Sequence, residues 1–368
     1  MKSTFTFLLL QGAVLSGYGQ QVTTFLNSAT EKVNDGMVLD RAGNLYGSHY
    51  AGANVYKVEP DGTTTTFATG FDTPNGLAFD SQENLFVADL AGGHIYKLSH
   101  TGTFLDTIDV SNPSGIIKAA GSDTMIFTQY YSHTINKLAP DGTIVPWFSG
   151  APLNGPVGLA VDSAGNVFVG NFNDRKIYRL YPDSLAYVAT VPGPSTGWLG
   201  FITYTRGMLW GTSFNSHKIY SIHPYELDSV SLFAGGAVGS LDGPVGTARF
   251  NSPNGIIASL GGDSLYISEA NTGKVRIIAD LHTTGGINEE LRMENEGGAL
   301  VVFPNPGHDE ISVKLSKPIV RVEVLNLQGA MVAVSGNQKI PVRELVPGMY
   351  MVKVYTDDGM ATGRFMKR

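Results

Sequence analysis

Six short runs in this 368-residue chain place a side chain directly before a glycine: Asp35-Gly36, Asn75-Gly76, Ser114-Gly115, Val157-Gly158, Leu199-Gly200 and Asn254-Gly255. A second set, Ser48, Asp89, Gln129, Asn171, Ser213 and Glu269, follows the first at similar intervals. If equivalent positions surround one centre, Glu269, Asn254, Asp35, Asn75 and Asp89 form an arc of three carboxylates and two amides. Hard cations such as calcium take about six to eight oxygens from such groups. The arc therefore predicts a Ca2+ site with Asp35, Asn75, Asn254, Asp89 and Glu269 as ligands. Val157 and Leu199 bring no oxygen to it, so the arc is lopsided. Asn-Gly and Asp-Gly are also favoured turn pairs, and the same residues equally suit loop backbone. His49 lies beside the same centre and is the candidate acid–base group. On the opposite side stand Tyr130, Tyr131, Phe172, Trp198 and Phe214, of which Tyr130, Phe172, Trp198 and Phe214 are the expected ligand contacts. An aromatic wall facing a polar arc suits a glycan or another small amphipathic molecule. Packing between repeat units is the plainer role for those rings.

These residues share a centre only if the chain repeats. The unit reads glycine, apolar strand, Asp, turn, apolar strand, loop, then an Ile-Tyr or Val-Tyr strand. Its third-strand markers fall at Val55, Ile95, Ile135, Ile177, Ile219 and Val275. The last interval is lengthened by an insertion expected over residues 233–252. Three strands per unit are clear, and a fourth follows turns such as Pro60-Asp61-Gly62 and Pro140-Asp141-Gly142. A four-stranded sheet repeated about every 40–45 residues is the mark of a propeller blade. The expected fold is all-β: a six-bladed β-propeller followed by a small C-terminal β-sandwich. The sixth unit has only a weak fourth strand, within residues 280–286. Val22-Thr23-Thr24-Phe25 resembles the outer strand Thr64-Thr65-Thr66-Phe67, so residues 21–27 are expected to complete the last blade. His133 and His217 recur at one repeat position, which favours loop packing over catalysis.

The run Asp242-Gly243…Ala248-Arg249-Phe250-Asn251-Ser252-Pro253-Asn254-Gly255 resembles an NHL repeat. Pro74-Asn75-Gly76-Leu77-Ala78-Phe79-Asp80 is similar to units of the gluconolactonase/regucalcin-like (SMP-30) six-bladed propellers. That resemblance covers roughly residues 21–281 and implies a propeller. It also implies an alternative activity, calcium-dependent lactone or ester hydrolysis at the channel mouth, with Asn34, Asp35, Asn75 and Asn254 at matching positions. Against that alternative stands a non-catalytic extracellular binding or scaffold module, the function expected first. The tail, with Val302-Phe303-Pro304-Asn305-Pro306, Val324-Leu325-Asn326-Leu327-Gln328-Gly329 and Leu345-Val346-Pro347-Gly348-Met349-Tyr350, is similar to the type A sorting domain of the type IX secretion system. The resemblance implies that the export machinery is a partner of residues 300–368, and that the chain is secreted or held at the outer-membrane surface. Phe303 stands where that family commonly has Tyr.

Composition agrees with export and an all-β core. Hydrophobic residues make up 42% and charged residues 15%, with 45 Gly and 18 Pro, a mixture suited to many tight turns. Lys2 precedes the apolar run Phe5–Leu15, and Gly17 and Gly19 fit a signal-peptidase site. Residues 1–19 therefore read as a signal peptide, too short to span a membrane. The expected division is 20–284 for the propeller, 285–299 for a linker and 300–368 for the sorting domain. Net charge is −7, with +3 on residues 300–368 and −10 on the rest, which argues against nucleic acid as a partner. There is no cysteine, and G-x-S-x-G, HExxH and P-loop motifs are lacking, which excludes those hydrolase and nucleotide-binding classes.

Overall fold

The computed structural model describes residues 20–281, 301–303, 307–315, 318–326, 331–346, 348–356 and 359–367. The signal peptide and the linker expected from the sequence lie outside them. Chain contacts divide the protein into two units, residues 1–285 and 286–368.

The first unit is a ring of six antiparallel sheets, the first five running from an inner to an outer strand in chain order. Blade two shows the pattern: Pro74–Phe79, Leu85–Asp89, His94–Leu98 and Phe104–Asp109. Blades one, three, four and five begin at Met37, Pro113, Pro156 and Leu199. The sixth contains Pro253–Ala258, Leu265–Glu269 and Val275–Ile278. Its outer strand is Gln21–Leu26, paired antiparallel with Val275–Ile278. The two-residue strand Gly243–Pro244 adds to that edge. The ring is thus closed by chain segments about 250 residues apart, as the sequence comparison of Val22–Phe25 with Thr64–Phe67 suggested. The outer strand of blade five runs on to Gly235, so the insertion starts three residues later than the sequence suggested.

Second strands such as Leu85–Asp89 and Val167–Asn171 are buried along their whole length because a blade is covered on both faces. One apolar cluster fills each interface, for example Tyr46, Leu77, Leu85 and Val87 between blades one and two, and Ile135, Leu159, Val169 and Tyr178 between three and four. Val22 is fully buried in the cluster between blades five and six, beside Trp210 and Phe250. Burying such a side chain is worth about 1.5–3 kcal/mol, so the N-terminal strand contributes core as well as hydrogen bonds.

The inner strands meet through their glycines. A Cβ on Gly36 would collide with the Asn75 carbonyl oxygen of the next blade; Gly76 meets Ser114, Gly115 meets Val157, Gly200 meets Asn254 and Gly255 meets Asp35 in the same way. At Gly158 the collision is with the Ile202 amide and the Gly200 carbonyl. Hydroxyls on second strands tie several of these carbonyls across the blades: Ser48 Oγ donates to Asn75 O (2.7 Å), Thr212 Oγ1 to Asn254 O (2.6 Å) and Ser268 Oγ to Asp35 O (2.8 Å).

The second unit has a three-stranded sheet, Val301–Phe303, Glu310–Lys314 and Lys339–Pro341, and a four-stranded one ordered Met331–Ser335, Arg321–Leu325, Gly348–Thr356, Gly359–Lys367. Ile311, Val313, Val322, Val324, Ile340, Val352 and Val354 form a common core, with Tyr350 stacked on Phe365 at 5.6 Å. This is the small β-sandwich expected from the alternating sequence.

Deleting residues 20–28 removes a paired strand and uncovers the blade-six edge. The melting temperature of the deletion variant is expected to fall sharply; an unchanged melting point would show that the ring closes without this strand.

Candidate functional site

Five of the residues before the six glycines, Asp35, Asn75, Ser114, Val157 and Asn254, hold one level of the inner strands. Leu199 does not, because it pairs with Ser213 as Pro74 pairs with Asp89. This puts Gly200 at that level in blade five and Leu199 in the core between blades four and five. Asp35, Asn75, Ser114, Val157 and Leu199 are buried and Asn254 is half-buried. Asn254 Nδ2 donates to Asp35 Oδ1 at 2.7 Å, joining blades six and one. The other Asp35 oxygen, Oδ2, is buried without a hydrogen-bond partner, as are Asn75 Oδ1 and Ser114 Oγ. An unsatisfied buried polar group costs about 1–3 kcal/mol, and these three stand in successive blades. Burial pushes the Asp35 carboxyl up to about 8, against the lowering effect of the Asn254 hydrogen bond. The carboxyl is therefore largely protonated at neutral pH in the free protein.

The second predicted ring needs one correction. Ser48 pairs with Val55 as Ala88 pairs with Ile95 and Thr128 with Ile135. The residue level with Asp89 is therefore His49, and Ser48 belongs to the hydroxyl row one step inside. Side chains at the Asp89 level turn to the loop that leads into their own blade. Asp89 accepts the Asp72 and Thr73 amides at 2.9 and 2.6 Å. Gln129 Nε2 donates to Ser111 O (2.7 Å), Asn171 Nδ2 to Pro152 O (2.9 Å) and Ser213 Oγ to Pro192 O (3.2 Å). Glu269 Oε1 accepts the Asn251 amide at 3.2 Å. This is a repeated loop clamp. Its carboxylates are committed, so the structure separates Asp89 and Glu269 from Asp35, Asn75 and Asn254. His49 occupies the same row and packs against Tyr56 at 6.5 Å between ring centroids. Burial and nearby Lys32 hold its imidazole below the usual histidine range.

Glu269 has a further partner. Arg276, fully buried, donates from Nη1 to Glu269 Oε1 (2.9 Å) and to Arg249 O (2.8 Å), and from Nη2 to Asp242 Oδ1 (2.5 Å) and Leu241 O (3.1 Å). Its guanidinium lies 5.2 Å from the centre of the Phe250 ring. Asp242 in turn accepts from the Thr24 amide (3.0 Å) and hydroxyl (2.9 Å). The Asp242-Gly243…Phe250-Asn251 motif is thus a wrapping around one arginine that also secures the N-terminal strand.

The five predicted aromatics form a continuous ladder. Tyr131 meets Tyr130 at 4.8 Å, Tyr130 meets Phe172 at 5.9 Å, Phe172 stacks on Trp198 at 5.3 Å, and Trp198 meets Phe214 at 5.7 Å. Tyr131 and Trp198 remain 63% and 39% exposed, which leaves faces free for a ligand. Sequence reasoning missed Tyr50. It is one residue beyond His49, the level that Tyr130, Phe172 and Phe214 occupy in their blades, and it is 44% exposed. Burial raises its hydroxyl pKa, and Asp35, Tyr131 and Tyr130 add to that rise. Counting one further along each second strand would have found it. His133 and His217 pack loops: each accepts a backbone amide at Nδ1, from Gly155 at 2.9 Å and Ser252 at 3.0 Å. Among the described residues, no group of three or more His, Cys, Asp or Glu is arranged to hold a metal ion.

Residues 301–368 match the family model described as a secretion system C-terminal sorting domain. This tail is a sorting domain. It directs the protein to secretion or the cell surface through the type IX machinery, and no helix among the described residues is long and apolar enough to cross a membrane. No curated protein matches the chain. Among solved structures, an auxiliary nutrient binding protein from Bacteroides thetaiotaomicron is similar at 14% identity and a TM-score of 0.61, over 71% of this chain and 76% of that one. A gluconolactonase from Xanthomonas campestris is 17% identical with a TM-score of 0.55, over 71% and 89%. Virginiamycin B lyase from Staphylococcus aureus is 14% identical with a TM-score of 0.52, over 71% and 99%. At these identities the likeness is one of fold, shared by proteins with different titles.

Replacing Arg276 with Met leaves Glu269 buried without its counter-charge and frees Asp242. Breaking such a pair costs about 3–5 kcal/mol, and chemical denaturation of R276M is expected to show a loss of that size. A loss within about 0.5 kcal/mol, the range of ordinary surface changes, would remove Arg276 from the closure.

Proposed function

We propose that the protein is an exported ligand-binding propeller whose site is the channel mouth bounded by Asp35, Asn75 and Ser114 on one side and the Tyr130–Phe214 ladder on the other. The observation that carries this reading is that Asp35 Oδ2, Asn75 Oδ1 and Ser114 Oγ, at one level of successive inner strands, are buried without a partner, while the ladder of rings in blades three to five keeps its outer members exposed. Ligand sites combine apolar walls with a few convergent polar groups in this manner. The ligand class is a small amphipathic molecule, with a donor-rich head at the oxygens and a flat or apolar body on Phe172 and Trp198. The sorting domain supplies the setting, outside the cell, and the propeller supplies recognition.

Calcium-assisted hydrolysis draws on the same oxygens. With Asp89 bonded to loop amides and Glu269 to Arg276, the remaining set is Asp35, Asn75 and Asn254. It carries one carboxylate, and Asn254 Nδ2 is already bonded to it. Calcium sites collect about six to eight oxygens and several charges, so these residues suit a ligand held by hydrogen bonds better than a metal. His49 lies in the loop row and packs against Tyr56, so the binding reading gives it no acid–base role. The binding reading is therefore preferred to the hydrolytic one.

A thermal-shift screen of saccharides and small amphipathic molecules, followed by calorimetric titration of the hits, tests the site. Trp198→Ala and Asn75→Ala are each expected to weaken binding by about tenfold to a hundredfold, the effect of losing a contact worth 1.4–3 kcal/mol, while the free protein melts within a few degrees of wild type. Hits whose affinity both variants leave unchanged would place the binding elsewhere.

A further inference from the structure

The geometry points to a second ligand site, a cleft on the opposite face of the ring that takes a small aromatic carboxylate, with the acid group on Lys137 and the ring against Trp147 and Tyr181. It does not depend on the channel mouth being a ligand site.

The cleft is an open cavity of about 360 Å3 between blades three and four, with Lys137, Trp147, Asn166, Leu180, Tyr181 and Pro182 in its lining. Small-molecule sites span about 300–1,000 Å3. Asn166 ends the turn between the first two strands of blade four, and Tyr181 and Pro182 open the turn between its last two. In an antiparallel blade both turns lie at the end opposite the loop that carries Phe172.

Its first support is a departure from the repeat. Third strands carry a basic residue at their fourth position in blades one to four: Lys57, Lys97, Lys137 and Arg179. Three of these have an oxygen partner. Lys57 reaches Glu59 at 3.7 Å, Lys97 reaches Asp80 at 3.3 Å, and Arg179 Nη2 donates to Asn166 Oδ1 at 2.6 Å. Asp80 follows the first strand of its blade, as Asp40 and Asp162 follow theirs. In blade three that place is held by Ala119, whose amide donates to Thr124 O as the Asp80 amide donates to Asn84 O. Among the described residues no carboxylate lies within ion-pair distance of Lys137, and its ammonium rests 3.9 Å from the centre of the Trp147 ring. A bound carboxylate supplies the charge that Ala119 omits.

The second support is the aim of Trp147. The outer strand of blade three bulges there: Ile135 pairs with Phe148 and Asn136 with Pro146, which leaves Trp147 as the extra residue. A bulge re-aims the side chain it carries. At the matching bulges of blades one and five, Phe67 and Phe233 pack on Tyr46 and Trp210 of their own blades, at 4.8 and 4.7 Å. Trp147 instead reaches the next blade, where its Nε1 donates to Pro182 O at 3.1 Å. Tyr181 is 39% exposed, with the Arg179 guanidinium 4.7 Å from its ring centre.

The third support is the shortage of other polar groups. Asn166 is committed at both ends, accepting from Arg179 and donating to Asp162 and Tyr225. Pro182 O already receives the Trp147 indole. Asp162 accepts the Ala164 and Asn166 amides and the Tyr225 hydroxyl. Asp183 is exposed in the turn after Tyr181, where solvent screens its charge. One free cation in an otherwise aromatic and apolar lining matches an acid group on a flat ring. A sugar acid would bring several hydroxyls with no side chain left to receive them.

The test follows the indole N–H signals of the full chain by NMR while benzoate or benzyl alcohol is added. The two compounds share a ring and differ in the acid. The chain has three tryptophans, Trp147 in the cleft, Trp198 in the ladder and Trp210 in the core, so each signal reports a different place; Trp147→Phe assigns the first. Benzoate is expected to move the Trp147 signal, to leave those of Trp198 and Trp210 in place, and to bind at least about tenfold tighter than benzyl alcohol. Lys137→Met is expected to remove that preference and leave the alcohol's affinity unchanged. Ala119→Asp, which restores the carboxylate of the repeat, is expected to weaken benzoate by about tenfold; melting curves check that both variants fold. Equal binding of the two compounds, or a preference that either variant retains, overturns the role of Lys137. Glucuronate that binds as tightly as benzoate overturns the aromatic class. Benzoate that moves the Trp198 signal alone, or no signal, overturns the cleft as its site.

Discussion

The contact on which the propeller depends is the close approach of each inner-strand glycine to the backbone of the next blade. A side chain at Gly36, Gly76, Gly115, Gly200 or Gly255 would occupy the space of a carbonyl oxygen, so a ring this tight requires bare backbone at those positions. The residue before each glycine is thereby fixed at the axis, where its side chain meets few neighbours. In blade four that residue is Val157, and in blade five the level falls on Gly200, which has no side chain. In blades one to three they are Asp35, Asn75 and Ser114, whose oxygens remain unmet. Ring closure and the candidate site share one cause.

Closure of the outer ring relies on a different kind of interaction. Arg276 gathers Glu269, Asp242 and two backbone carbonyls in the interior, and Asp242 passes the connection to Thr24 on the N-terminal strand. The apolar cluster around Val22, Trp210 and Phe250 supplies burial beside it. A segment from one end of the propeller thus completes a blade from the other, which removes two open sheet edges.

Much of this was legible in the sequence because the repeat is close to periodic. Five axial positions, the outer strand at Val22–Phe25 and the aromatic ladder follow from the repeat and from residue type, whereas in blade five the Leu199-Gly200 pair is shifted by one from the others. Ser48 is expected in the second ring, yet forty residues back from Asp89 is His49, and the pairing of Ser48 with Val55 puts Ser48 one step inside. Tyr50 escaped for a related reason, since its neighbours in the ring were identified as aromatics on the far side only. Glu269 and Asp89 were misjudged because a carboxylate's partners belong to tertiary structure. Nothing local reveals that Asp89 receives the Asp72 and Thr73 amides, or that Arg276 is buried against Glu269.

The central claim is that Asp35 is a buried, half-unpartnered carboxyl kept for a ligand at the mouth of an exported propeller. Its titration, followed by carbon-13 NMR of the carboxyl in the full chain, tests this most directly. The account predicts a midpoint near pH 8 in the free protein. A midpoint already in the ordinary carboxylate range would contradict it.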